Sequence, residues 1–188
     1  MTRVRTRVVG RRDTMHHSTV SSIDAVHAIL QGYAERGVFR GFSRGPGSNR
    51  KSGNRKSGNR KASFRLLWHR DRLFELILDL DRHTLRFPLV LPHVDAKSTM
   101  YQKLKEFLKS RQSEQMPQHR RIDTRKARVQ SVNRGGNVAV TLTIQDGDYE
   151  YGARKLIHLV HEIFLVFLVD GPYYEYMVET FGLDPDGI

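Results

Sequence analysis

The sequence has no cysteine among its 188 residues. Disulfide bridges, thiol nucleophiles and cysteine-ligated metal centres are therefore excluded, and this absence is compatible with a reducing cytoplasm. Long apolar runs are also lacking, because the longest, Ile163 to Val169, has seven residues, whereas a membrane span needs about 20. Apolar residues make up 38% of the chain, so part of it is expected to lie outside a packed core. We expect a cytoplasmic protein without a membrane segment.

Acidic residues are scarce in the first third of the chain. Residues 1–62 hold 14 lysines and arginines against 3 acidic residues, whereas residues 63–188 hold 18 against 17. The net charge of +12 therefore comes almost entirely from the first third. The remainder is nearly neutral, with a basic stretch at 119–144 followed by an acidic one at 145–188. This distribution argues against a compact basic DNA-binding domain.

The two ends of the chain are predicted to be tails. Residues 1–20 contain five arginines and no apolar periodicity, which predicts a disordered basic tail without the apolar segment of a secretory signal. Residues 183–188 are predicted to form a short C-terminal tail. Translation from Met1 and translation from Met15 are both compatible with this pattern.

A tandem repeat occupies the stretch from Asn49 to Lys61, which reads NRKSG-NRKSG-NRK. Residues 43–62 are predicted to form a flexible basic loop within a single domain at 21–182. The six cations of the repeat could neutralise phosphates, but no aromatic residue is interleaved for base stacking. A tolerated expansion is favoured, because lengthening a loop costs little free energy. Incidental RNA or DNA affinity through residues 1–62 is expected in either case.

The spacing of apolar residues predicts the order of helices and strands. Alternation over 64–68, 74–80 and 85–91 predicts a three-stranded meander, and a further hairpin is predicted at 126–145 around the turn NRGGN. Helical spacing recurs in four places, which are residues 21–37, 100–111, 148–169 and 174–182. The resulting order, α-βββ-α-ββ-α-α, predicts an α+β fold with a five-stranded antiparallel sheet covered by helices.

Two histidines, His158 and His161, are spaced one helical turn apart, with Glu162 beside them. Such a pair can share a divalent ion, but the spacing matches neither of the zinc helices HExxH and HxxEH. The polar face of an amphipathic helix accounts for the same residues. They are kept as weak metal-ligand candidates, and no cofactor or catalytic residue is predicted.

Tyrosines and arginines in the second half of the chain are candidates for partner binding, because these residue types commonly anchor protein interfaces. Three tyrosines fall within residues 173–176, next to an apolar run that is typical of a helix buried in a core or in a subunit interface. Packing within the chain and a solvated strand face are the alternatives for the tyrosines and the arginines respectively. The candidates are Tyr173, Tyr174, Tyr176, Phe164, Phe167, Arg120, Arg121 and Arg125.

The order of helices and strands over about Ser21 to Gly182 resembles the fold of type III secretion chaperones and of the related YbjN-like proteins. The resemblance implies a small non-enzymatic domain, often a homodimer, that holds a partner polypeptide against its sheet or helices. Our leading hypothesis is therefore a polypeptide-binding, chaperone-like protein that forms a homodimer. The alternative is a nucleic-acid-associated protein that uses the basic tail, the NRKSG loop and the cationic cluster at 119–128.

Overall fold

A six-stranded antiparallel sheet and four α-helices make up the part of the chain that the structure, a computed structural model, describes: residues 13–45, 60–69, 71–169 and 173–182. The elements in chain order are α1 (Asp13–Glu35), β1 (Gly41–Arg44), β2 (Lys61–Trp68), β3 (Arg72–Asp79), β4 (Thr84–Leu91), α2 (Thr99–Ser110), β5 (Ala127–Arg134), β6 (Asn137–Ile144), α3 (Tyr149–Glu162), a π-helical segment (Ile163–Leu168) and α4 (Tyr174–Phe181).

The sheet has the strand order β1-β2-β3-β4-β6-β5. Strands β2, β3 and β4 form the predicted meander, and β5 and β6 form the predicted hairpin. The chain leaves the sheet after β4, passes through α2 to the edge strand β5, and returns as β6 between β4 and β5. The α+β class and the antiparallel sheet are thus confirmed, whereas the predicted number of five strands was wrong.

The additional strand is β1, which pairs with β2 so that Phe42 lies opposite Leu66. The predicted loop at 43–62 overlapped both strands, because Ser43 and Arg44 belong to β1, and Lys61 and Ala62 belong to β2. The pairing of a four-residue segment depends on the apolar strand beside it more than on its own composition. The order becomes α-ββββ-α-ββ-α-α, and most of the repeat, at 46–59, lies outside the described residues.

Helix α1 begins at Asp13, ahead of the capping pattern at Ser21 that predicted its start. Residues 13–20, assigned to the disordered tail, are therefore helical, whereas residues 1–12 and 183–188 lie outside the described residues. The predicted end is confirmed: Gly37 has a φ of 76°, and its N–H donates to the Ala34 carbonyl oxygen at 2.9 Å. Glycine adopts this left-handed conformation without steric cost, which ends the helix.

The core lies between one face of the sheet and the helices. Alternate strand residues, such as Phe64, Leu76 and Leu142, are fully buried on this face. Helix α3 approaches the sheet closely at Gly152, where an added Cβ would lie 2.3 Å from Ile144 Cδ1. Glycine at this position therefore permits the contact between α3 and the sheet.

The other helices pack on the same side of the sheet. Phe107 of α2 contacts Phe167 of the π-helical segment at a ring distance of 5.4 Å, and Phe181 of α4 contacts Phe164 at 4.9 Å. Helix α1 packs on α3, where Tyr33 contacts His158 at 6.1 Å. The opposite face of the sheet is therefore not covered by any described helix.

Within the described residues, no helix combines the length and the hydropathy that a membrane span requires.

Candidate functional site

Two predicted partner-binding residues, Phe164 and Phe167, are part of the hydrophobic core. Their side chains are 1% and 8% exposed, and the Phe164 ring packs edge-on against Phe74 at 5.9 Å. The structure corrects their assignment, because a buried ring stabilises the chain itself and offers no surface to a partner. The apolar run is accordingly a core segment, with Leu165 as its exposed apolar residue at 52%.

The three tyrosines occupy different environments. Tyr176 is tied into the fold, since its hydroxyl donates to the Pro92 carbonyl oxygen at 2.7 Å, and burial raises its pKa. Tyr173 packs against Phe167 at 5.0 Å, whereas Tyr174 is 38% exposed. The tyrosine segment is therefore mainly a packing element between α4 and the π-helical segment.

The three arginines are bound within the chain. The Arg120 guanidinium pairs with Glu162 at 2.5 Å, and Arg121 donates to the Glu114 carbonyl oxygen at 3.5 Å. Arg125 pairs with Asp123 at 2.9 Å, and its hydrogen bonds lower the pKa of that carboxyl group to about 2. Arg125 remains highly exposed, so its pair contributes little to stability.

The metal candidates His158 and His161 are exposed on α3 and are not joined by a third ligand. The carboxylate of Glu162 is occupied by Arg111 and Arg120, and the His161 ring stacks on Trp68 at 5.9 Å. Their partial burial, followed by a neighbouring cationic or imidazole group, lowers the pKa of both histidines. In the part of the chain that is described, no three His, Asp or Glu side chains are placed to hold a metal ion.

The uncovered face of the sheet carries a regular array of side chains, which we call the open face. The strand registers align residues of neighbouring strands in rows that cross the sheet. One row consists of Ser63, Ile77, Arg86, Thr141 and Gln130. The next row consists of Lys61, Asp79, Thr84, Thr143 and Arg128.

One carboxylate of the open face is neutralised locally. Asp79 is 7% exposed, binds Lys61 at 3.0 Å, and accepts hydrogen bonds from the backbone N–H groups of Asp81 and Arg82. Burial acts to raise the pKa of Asp79, but the hydrogen bonds from Lys61 and the backbone outweigh it and lower the pKa. The carboxylate therefore stabilises the turn between β3 and β4.

The balance of charge on the open face is positive. Glu75 lies directly opposite Arg65 in the register of β2 and β3. The arginines Arg86, Arg128 and Arg134 have no carboxylate partner within 4 Å among the described residues. The surface therefore favours a ligand that carries negative charge.

Exposed aliphatic side chains distinguish the open face from an ordinary solvated sheet. Leu67 and Leu73 lie opposite each other on β2 and β3 and are 38% and 62% exposed. Val132 of β5 lies in the open-face phase of its strand and is 38% exposed. Leu89 of β4 is exposed as well, within the register shift between Phe87 and Leu91. These four account for most of the large exposed hydrophobic residues in the described ranges; the others are Leu165 and Tyr174.

The sequence analysis did not select these four residues, although the sequence contains a signal for two of them. In LLW at 66–68 and LF at 73–74, apolar residues occupy both phases of the strand alternation. One phase faces the helices, so Leu67 and Leu73, in the other phase, are left on the opposite face.

Comparison of the chain with known protein families, with curated proteins and with solved structures finds no match in any of the three. The resemblance to type III secretion chaperones therefore stays a prediction, and function has to be inferred from the residues themselves.

Proposed function

We propose that the chain is a non-enzymatic polypeptide-binding domain that holds an acidic, amphipathic segment of a partner protein against the open face of its sheet. The observation that carries this proposal is the concentration of exposed aliphatic side chains, Leu67 and Leu73 in particular, on a sheet face with excess positive charge. The function is chaperone-like in the sense that the domain shields an apolar segment of another protein.

Apolar contact supplies a large part of the expected binding energy. Complete burial of a leucine side chain contributes about 1.5–3 kcal/mol, and Leu67 and Leu73 form an adjacent pair on neighbouring strands. A strand-like or helical partner segment with apolar residues on one side can cover both leucines at once.

Charge complementarity selects the kind of partner. Arg86 and Arg128 lie in adjacent rows of the open face and are not paired with carboxylates of the described chain. Acidic side chains of a partner can form charge-assisted hydrogen bonds with these guanidinium groups. A second copy of the chain would instead bring an equally cationic face, so stacking of two open faces is disfavoured.

Nucleic acid is less well suited to the open face, because none of its described strand residues is aromatic. Binding of single strands commonly depends on stacking of bases on aromatic side chains. Phosphates alone would contact the arginines, and binding of that kind weakens steeply with salt.

The proposal is tested with fluorescently labelled synthetic peptides and the full chain, using anisotropy at low and high salt. The probes are a peptide of alternating glutamate and leucine, a matched peptide of alternating lysine and leucine, and a uridine oligonucleotide. We expect saturable binding of the glutamate–leucine peptide that persists in part at high salt. We also expect the double variant Leu67→Ser, Leu73→Ser to bind it about tenfold more weakly, from the loss of apolar contact.

The matched control is Leu165→Ser, which removes an exposed leucine from the helical side of the molecule and should leave binding unchanged. Equal binding of both peptides, or no effect of the double variant, would contradict the proposal. Binding of the oligonucleotide alone, lost at high salt, would support the nucleic-acid alternative instead. A dimer mass in light scattering that the double variant abolishes would assign the open face to a second copy.

A further inference from the structure

A cleft lies between α3 and the loop at 117–122 that precedes β5, on the helical side of the molecule. Its volume is about 320 Å³, at the lower end of the range for small-molecule sites. Three residues of the loop line it, namely His119, Arg120 and Ile122. Helix α3 contributes Lys155, His158, Leu159, His161 and Glu162. We call it the histidine cleft.

The walls of the histidine cleft are fixed by contacts within the chain. The Lys155 ammonium donates to the carbonyl oxygens of Gln118 and His119 at 3.2 and 2.9 Å, which ties the loop to α3. The N–H of Ile122 donates to the Arg111 carbonyl oxygen at 2.8 Å, and the Ile122 side chain is buried. A ligand would therefore enter a site that is already formed, at small cost in conformational entropy.

Positive charge in the histidine cleft exceeds negative charge. Glu162 is the one carboxylate among the described residues that line it, and it is shared by Arg111, at 2.6 Å, and Arg120. Burial lowers the pKa of Lys155; the Glu162 carboxylate acts in the opposite direction, and Arg121 lowers the pKa by a smaller amount. Burial and then Lys155 lower the pKa of His158. Both side chains are thus partly desolvated, and a bound anion would favour their charged forms.

Side chains with N–H donors line the cleft on two different elements. His119 and Arg120 belong to the loop, whereas Lys155 and His158 belong to α3. A phosphate group has several acceptor oxygens and is bound best by charged and neutral N–H donors that surround it. Leu159, which is apolar and also lines the cleft, can contact an organic substituent of the ligand.

We infer that the histidine cleft binds the phosphate group of a small phosphate ester. This site is separate from the open face, so its existence does not depend on the proposed polypeptide-binding function.

The test follows the histidine imidazole signals of the full chain by NMR near neutral pH. Inorganic phosphate and phenyl phosphate are added in separate titrations, and sodium chloride at equal ionic strength is the control. We expect saturable shifts at His119, His158 and His161, and none at His83 and His93, which do not line the cleft. Tighter binding of phenyl phosphate would show that the apolar wall takes part and that an ester is the preferred ligand; equal binding would restrict the site to free phosphate and overturn the ester assignment.

Variants then test which side chains bind the anion. His158→Ala removes an exposed imidazole and should preserve the fold, and Lys155→Gln removes the ammonium group. We expect each to weaken phosphate binding by about tenfold, the effect of losing one charge-assisted hydrogen bond. The matched control is Lys103→Gln on α2, which should bind as the wild type does. Linear shifts at all histidines alike, or wild-type affinity in His158→Ala, would overturn the inference.

Discussion

At the scale of single residues, His69 is held in an unusual environment directly after β2. Its φ of 45° lies in the left-handed region, and its ring stacks on Phe164 at 3.9 Å and on Trp68 at 4.5 Å. The buried Nε2 atom has no hydrogen-bond partner among the described residues. Burial, and then the nearby His161, lower the pKa of His69 to about 3. The imidazole is therefore neutral in the folded chain over the whole physiological range.

This residue predicts a loss of stability in mild acid. Between about pH 6.5 and about pH 3, the unfolded chain binds a proton at His69 that the folded chain does not bind. The free energy of unfolding should therefore fall as the pH falls through this window, by at most about 1.4 kcal/mol per pH unit. His69→Phe keeps an aromatic ring in the stack and removes the titrating group. Urea denaturation over this pH range should show a shallower decrease for His69→Phe than for the wild type.

His93→Phe controls for the effect of placing phenylalanine in a left-handed backbone conformation. His93 also has a positive φ, of 58°, but its side chain is exposed. The variant should retain the wild-type dependence of stability on pH. His158 and His161 also have lowered pKa values, so some acid sensitivity should remain in His69→Phe. Identical pH profiles for the wild type and His69→Phe would show that protonation of His69 does not lower the free energy of unfolding.

At the scale of elements, alternation predicts the strands that have an apolar face. Strands β2, β3, β4 and β6 were identified because residues such as Phe64, Phe74 and Leu85 recur at every second position. Strand β1 was missed because its sequence, GFSR, contains one apolar side chain, Phe42, and depends on pairing with Leu66. The start of α1 was misplaced because residues 13–20 have no apolar periodicity of their own. Local pattern thus predicts elements that bury a face, and tertiary contacts determine the others.

The side chain of Gln112, which follows α2, covers part of the edge strand β5. The Val129 N–H donates to the Gln112 side-chain oxygen at 3.2 Å, and the Gln112 amide donates to the Val129 carbonyl oxygen at 3.4 Å. The side-chain amide thus takes the place that a neighbouring strand would occupy, which blocks pairing with another chain at this point.

We predict that Gln112→Ala exposes this edge. The loss of two hydrogen bonds should lower the free energy of unfolding by about 1–2 kcal/mol, and exchange of the Val129 amide hydrogen should become faster than that of the wild type. Hydrogen exchange followed by NMR measures both effects. Gln102→Ala, at an exposed position of α2, is the matched control. Unchanged protection of Val129 would mean that another group covers the edge.

At the scale of the whole molecule, sequence patterns alone do not separate core residues from surface residues. Phe164 and Phe167 were candidates because an apolar run has the same pattern in a core and in an interface, and only the packing of α2 and α4 on that run places it in the core. The exposed aliphatic residues of the open face, Leu67, Leu73 and Val132, could not be separated from core residues without knowing which face the helices cover. His158 and His161 line the same cleft, but Glu162 is engaged by arginines rather than available to a metal.

The repeat follows β1 and precedes β2, the two strands at one edge of the sheet, and most of it lies outside the described residues. Its last two cations are engaged by the turn after β3: Arg60 pairs with Asp81, and Lys61 pairs with Asp79 at 3.0 Å. The two complete units, residues 49–58, end before these pairs, so they can be removed without disturbing them.

We predict that deletion of residues 49–58 leaves the fold intact and changes only the electrostatic binding of nucleic acid. Shortening a hairpin loop changes the free energy of unfolding by less than about 1 kcal/mol, which urea denaturation measures. The deletion removes four cations, each of which contributes about 0.7 to the slope of log K against log salt for single strands if it contacts a phosphate. The slope for a uridine oligonucleotide should therefore fall by up to about 3, while binding of the glutamate–leucine peptide stays unchanged. A deletion that also abolished peptide binding would make the repeat part of the polypeptide-binding site, because the open face itself is intact in this variant.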